Sequence, residues 1–232
     1  MDDWWAHSPY YYYGTYLGGP ASACSAPGRE WYADVHTAHA PKGLSWDFLP
    51  IWVGKQPPCS TISPRFSGDA TNNYQQARTE AANEVDNAVG VATSRGFTSP
   101  GTILYYDLEA YDTTNSGCNA AARAYINVWS KRLQETWSDK SGLYGSACGS
   151  LVNQFWTVAF APNDAWLADW NNNPSVYNVA CTSKERWEQR RFHQYRGETW
   201  VKYGETLLFI DVNCAYGIVA GWGQGDEAIC YS

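Results

Sequence analysis

Tyr105-Tyr106-Asp107-Leu108-Glu109 places two carboxylates two residues apart at the end of a short aromatic, strand-like segment. Side chains at i and i+2 of a strand point to the same face. Asp107 and Glu109 are therefore expected to share one pocket, where repulsion and partial burial raise one pKa and leave the other carboxylate ionised. Cleavage of a glycosidic bond uses that division between two acids. The longer run, Gly101 to Tyr111, follows a Pro-Gly turn signal and passes straight from β-formers into acids without alternating polar and apolar residues. Such a run suits a strand buried on both faces, as in a parallel sheet. A strand ending in solvated acids is the plainer alternative.

Working outward, strand and helix signals alternate. Tyr10 to Leu17 is an aromatic run ending in Gly18-Gly19-Pro20, and Asp47 to Val53 an apolar run ending in Gly54. Between Val53 and Gly101 lies a helix over Asn73 to Arg95, with Ala77, Ala81, Val85, Ala88, Val89 and Ala92 at helical spacing and Gly96 as its stop. A second helix, about Asn119 to Trp137, carries Tyr125, Val128, Trp129, Leu133 and Trp137 on one face. Short apolar strands are expected at Ser141 to Tyr144, Phe155 to Phe160, Ala165 to Ala168, Arg191 to Tyr195 and Leu207 to Val212. This alternation, without a Gly-x-Gly-x-x-Gly turn, points to an α/β fold: a parallel (β/α) TIM-like barrel formed by residues 1–232 as one domain. Working residues of such barrels sit at the C-terminal ends of strands. Asp107 and Glu109 fit that rule, and so does Asp211, which follows Leu207-Leu-Phe-Ile210. A local turn cap is the alternative for Asp211.

Composition narrows the partners. The 232 residues include 13 Trp and 17 Tyr but only 17% charged residues, which leaves aromatic side chains for a binding surface after a core is filled. A net charge of −7 and a pI near 5.0 argue against nucleic acid, whose binding rests on basic patches. No apolar run approaches the roughly 20 residues that span a bilayer. Met1 is followed at once by Asp2, Asp3 and Trp4, which is not an export signal, so any such segment is expected to have been removed or replaced.

Seven cysteines, at 24, 59, 118, 148, 181, 214 and 230, form no Cys-x-x-Cys pair. Disulfides made outside the cytosol are expected in preference to zinc, with one thiol unpaired. Cys24 and Cys59 each follow a strand by a few residues and are expected to pair with each other. Cys214, at the end of the last strand, is the candidate free thiol. Gly145-Ser-Ala-Cys-Gly149 lacks the spacing of a nucleophile elbow. His36 and His39 could meet only on a helix and have no evident third ligand, so no metal and no cofactor is expected. His193, on a strand, could reach the site or serve a structural hydrogen bond.

In order along the chain stand Tyr16-Leu-Gly-Gly19, Leu49-Pro-Ile-Trp-Val-Gly-Lys-Gln56 with Cys59, Tyr105-Tyr-Asp-Leu-Glu-Ala-Tyr111, Gly142-Leu-Tyr-Gly-Ser146, Trp166-Leu-Ala-Asp-Trp170, His193-Gln-Tyr-Arg-Gly197 and Ile210-Asp-Val-Asn213. With these pieces the chain resembles the glycoside-hydrolase-like domain of secreted actinobacterial proteins (domain of unknown function 1906), related to the family 25 lysozymes. The resemblance implies that Glu109 is the general acid and that Asp107 stabilises developing positive charge or orients an N-acetyl group. Asp211 is implied as the acid of the last strand. Tyr195 is implied as the aromatic of the Gln-Tyr motif, and Tyr106, Tyr144, Trp170 and His193 are the further substrate-binding candidates. Members of both families begin with a strand that supplies another acid and, in closer relatives, often a cysteine. This chain begins at what reads as the following helix, so the gap between the first and last strands is expected to be filled by something else, a partner chain being one candidate.

The expected function is a secreted or cell-wall-associated glycoside hydrolase acting on polysaccharide, peptidoglycan among the candidates, by carboxylate acid catalysis. A catalytically weak carbohydrate-binding module on the same scaffold is the alternative. Glu109 is expected to be more buried than Asp107, with its pKa raised by desolvation first and the neighbouring carboxylate second.

Overall fold

The computed structural model describes all residues except 1, 11, 38–46, 99–100, 138–139, 150–153, 217–227 and 230–232. In chain order the elements are α1 (Asp2–His7), β1 (Tyr12–Gly18), α2 (Arg29–Thr37), β2 (Asp47–Trp52), α3 (Gln75–Ser94), β3 (Tyr105–Asp107), α4 (Ser116–Thr136), β4 (Gly142–Ser146), β5 (Asp164–Ala168), β6 (Arg191–Tyr203), β7 (Thr206–Tyr216) and β8 (Ala228–Ile229). The strands form one curled mixed sheet in sequence order. Neighbours from β1 to β6 are parallel, whereas β6 to β7 and β7 to β8 are antiparallel. The expected wholly parallel barrel is thus corrected to a half-barrel that opens between β1 and the far end of the sheet.

The change of direction has a local cause. Only Gly204 and Glu205 separate β6 from β7, and a turn that short joins antiparallel strands, since a parallel pair needs a long crossover. Gly204 takes φ +58, the left-handed region a tight turn needs. The Asp3 carboxylate accepts the Glu205 N–H at 2.7 Å and the Thr206 hydroxyl at 3.2 Å, which ties α1 to the hairpin tip.

That tie puts α1 across the opening. Trp4 is buried, stacks on Tyr10 at 5.4 Å and meets the edge of Tyr203 at 5.3 Å. This cluster, which also takes in Tyr13, Phe48, Leu208 and Ile210, spans the gap from β1 to the hairpin, so the chain itself supplies part of the expected filling. A cavity of about 620 Å³ remains beneath it, walled by residues that include Tyr12, Ile51, Trp166, Phe192 and Ile210.

Helices α3 and α4 cover the convex side. α3 buries Ala77, Ala81, Val85, Ala88 and Ala92 of the stripe its spacing predicts, and leaves Val89 partly buried. α4 begins at Ser116 because the Asn115 side chain accepts the Cys118 N–H at 3.1 Å, an N-cap that places the start before the expected Asn119. The expected strand at Phe155 to Phe160 is absent, and this segment is a short helical turn followed by turns. β4, beside which it would lie, already pairs with β3 on one edge and β5 on the other, so no edge was left for it. β3 is also shorter than expected. Beyond Asp107 the chain leaves the edge of β2, and the Glu109 N–H is taken by the Gln56 side chain.

The cysteine pairing differs from expectation. Cys59 bonds Cys118 with Cα atoms 5.9 Å apart, and Cys148 bonds Cys181 at 5.1 Å. The loop after β2 reaches the start of α4, and there Cys59 meets Cys118. Cys24 is left as an exposed free thiol. Cys214 is disulfide-bonded and is not the free cysteine.

Candidate functional site

Strand parity builds the site. Asp107 closes β3 with its side chain on the concave face, opposite to Tyr106. Gln56, fully buried in the loop after β2, donates to the Asp107 carbonyl at 2.9 Å and accepts the Glu109 N–H at 2.9 Å. The Leu108 N–H is held by the Tyr144 carbonyl at 3.1 Å. One glutamine and one strand neighbour therefore fix the backbone of both acids.

Asp107 is only 3% exposed, and its Oδ1 is buried with no hydrogen-bond partner. Burial first, and the Glu109 charge second, push its carboxyl up to about 8. Glu109 is half-buried, and desolvation lifts it above the ordinary carboxylate value. The expected order of burial is thus reversed: Asp107 is the deeper acid because it is the last residue of the strand, while Glu109 already lies beyond it at the rim.

Asp211 reaches the same rim. Its Oδ2 accepts from Gln194 Nε2 at 3.0 Å and its Oδ1 from the Glu198 N–H at 2.7 Å. Gln194 Oε1 in turn accepts the Tyr144 hydroxyl at 3.0 Å and the Trp170 indole N–H at 2.8 Å. The four side chains form one unit, with the Trp170 ring 53% exposed at its edge. That ring packs against Gly197, where an added Cβ would collide with it. Tyr16 completes the group. Burial, then the charges of Asp107, Asp211 and Glu109, raise its hydroxyl pKa, and the same acids act on Tyr144. Three carboxyl groups, two phenols and an open indole thus converge at the C-terminal ends of the parallel strands.

Three proposed substrate contacts are not brought there. Tyr106 is buried on the helix side between Tyr125 and Trp129, and its hydroxyl donates to the Lys55 carbonyl. His193 is buried with Nδ1 2.7 Å from the Ser175 carbonyl and Nε2 2.8 Å from that of Asp169, so it braces a loop. Tyr195 is buried beside the His193 ring and does not line the cavity. Gln194 between them is the residue on the concave face. Alternation from Phe192, which lines the cavity, is the signal that identifies it. Tyr16, near the end of β1, and Gln56, in the loop after β2, carry no comparable signal. His36 lies on α2 and His39 outside the described residues, among which no three His, Cys, Asp or Glu side chains gather to hold a metal ion. No helix among the described residues is long and apolar enough to cross a membrane.

The sequence pattern of the Rv2525c-like, glycoside hydrolase-like domain matches residues 2–215, and the chain belongs to that family. No curated protein matches the chain at a significant level.

Proposed function

We propose, on the basis of this family membership and of the paired acids at the rim, that the protein is a secreted glycosidase acting on polysaccharide, with peptidoglycan the first substrate to try. The observation that carries the reading is the Asp107 and Glu109 pair: two adjacent carboxyls whose surroundings hold at least one proton at neutral pH, beside an exposed indole. Glu109 acts as proton donor to the leaving oxygen, because it is the half-buried, more accessible member of the pair and its pKa is raised in the direction a donor needs. Asp107, protonated up to about pH 8, does not supply an anion at neutral pH. Its carboxyl instead suits the second implied role, hydrogen bonding to a substrate N-acetyl group. Stabilisation of developing positive charge falls to Asp211, whose two oxygens are oriented by Gln194 and the Glu198 N–H. Trp170 and Tyr144 bind the sugar.

Release of reducing ends from purified peptidoglycan and from soluble polysaccharides, by the wild type and by Glu109→Gln, tests this reading. Hydrolysis lost in the variant supports it, and equal hydrolysis by both removes Glu109 from the mechanism.

One observation favours a binding module without turnover. Asp211, Gln194 and Tyr144 border the large cavity, whereas Asp107 and Glu109 do not. Glycan retention by both proteins with no release of reducing ends selects that alternative.

A further inference from the structure

The most exposed aromatic surface among the described residues lies outside the acid rim, on the β6–β7 hairpin. Trp200 is 65% exposed, Phe209 54% and Leu207 52%. Trp200 and Phe209 are register partners on the two strands, and their rings lie 5.1 Å apart at 49°. Large apolar side chains gathered on a soluble surface mark a binding site more often than chance exposure.

Strand geometry says what this surface adjoins. Leu207, Phe209 and Asp211 are spaced by two along β7, so their side chains share one face, and opposed residues of an antiparallel pair point the same way. The exposed positions alternate accordingly: Leu207, Phe209 and Asp211 are open, whereas Leu208 and Ile210 turn towards Trp4 on the other side. At about 3.3 Å per residue Phe209 is roughly 7 Å from Asp211 along the strand, within the reach of a short oligosaccharide. The hairpin is also anchored to that acid, since the Glu198 N–H that leads into its outer half donates to Asp211 Oδ1. Gln194, which donates to the same acid, also holds the exposed Trp170. The acid is thus linked to two exposed aromatic groups, to Trp170 through Gln194 and to Phe209 along its own strand.

We propose that Trp200 and Phe209 form a second carbohydrate-binding platform, stacking sugar rings of a glycan chain whose neighbouring units lie at Asp211 and Trp170. The proposal rests on the reading of the acid rim as a glycan site and extends it: the ligand is a chain long enough to reach from Trp170 to Trp200, not an isolated sugar. Aromatic faces present the broad apolar surface that the C–H face of a pyranose covers. A net charge of −7 disfavours an anionic lipid surface as the occupant.

The test is binding of peptidoglycan glycan strands and of chito-oligosaccharides, each graded by length, to the wild type, Trp200→Ala, Phe209→Ala and Trp170→Ala. Wild-type affinity is expected to rise with length. Trp200→Ala and Phe209→Ala are expected to lower affinity for the longest strands about tenfold and to leave that for the shortest bound fragment unchanged, with the unfolding midpoint unmoved. Trp170→Ala is expected to weaken short and long ligands alike. Equal affinities of wild type and hairpin variants for every length overturn the proposal, as does a wild type that binds no glycan. A Trp200→Ala change confined to self-association or to phosphatidylglycerol vesicle binding assigns the surface to a second copy or to lipid and also overturns it. Length-dependent binding lost in the hairpin variants, with no hydrolysis by any protein, retains the platform and removes only the hydrolase reading.

Discussion

Gln194 Nε2 donates to Asp211 Oδ2 at 3.0 Å across the first antiparallel pair of the sheet, after five parallel ones. The contact exists because β7 runs backwards. Asp211 lies in the middle of its strand, yet reversal brings it level with the C-terminal end of the parallel part of β6. An amide whose oxygen takes Tyr144 and Trp170 while its nitrogen gives to Asp211 sets the position of three groups at once.

Gln194→Leu should therefore act beyond its own contact. It leaves the Tyr144 hydroxyl and the Trp170 N–H without their acceptor and frees the Asp211 carboxylate to turn. Glycan affinity is expected to fall about tenfold or more, since losing a buried hydrogen-bond partner costs roughly 1 to 3 kcal/mol. Titration calorimetry with the best-bound oligosaccharide measures it, and an unchanged dissociation constant refutes the role.

Glu109→Gln should lower turnover by on the order of a hundredfold or more, because the amide cannot deliver a proton, while binding stays nearly the same. Initial rates of reducing-end release alongside pull-down on insoluble peptidoglycan separate the two effects.

Asp107 ties stability to pH. Its folded-state pKa of about 8 lies above the ordinary value of 3.8, so between about pH 4 and pH 8 the folded chain holds a proton that the unfolded chain has released. Stability is then fully present below pH 4 and is lost as pH rises through about 8. Asp164, buried and raised to about 7, adds a slope of the same sign that ends lower. Thermal unfolding from pH 4 to 9 should show a falling midpoint, with a shallower fall in Asp107→Asn. Equal slopes in the two proteins count against the buried, protonated Asp107.

Cys24 should be the reactive thiol. Native, non-reduced protein treated with iodoacetamide is expected to carry the label on Cys24 and none on Cys59, Cys118, Cys148 or Cys181, as read by peptide mass spectrometry. Reduction before labelling should expose all five.

Elements that depend on near neighbours are legible in the amino-acid order. The helices of residues 75–94 and 116–136 follow from apolar spacing, and the acid-bearing strand from its aromatic run. Seven short motifs in order pointed to the family. Relations between segments distant along the chain emerge only on folding. Strand direction after β6 depended on whether residues 196–206 fold back as one hairpin. Cysteine partners depended on which loops meet in space. The choice of Gln194 over His193 and Tyr195 was a parity question, since a shift of one residue turns every side chain to the other face. Depth at the rim is of the same kind: a carboxyl's environment is set by surrounding strands, so Asp107 and Glu109, alike in sequence, separate in burial only once β2, β4 and Gln56 close around the first of them.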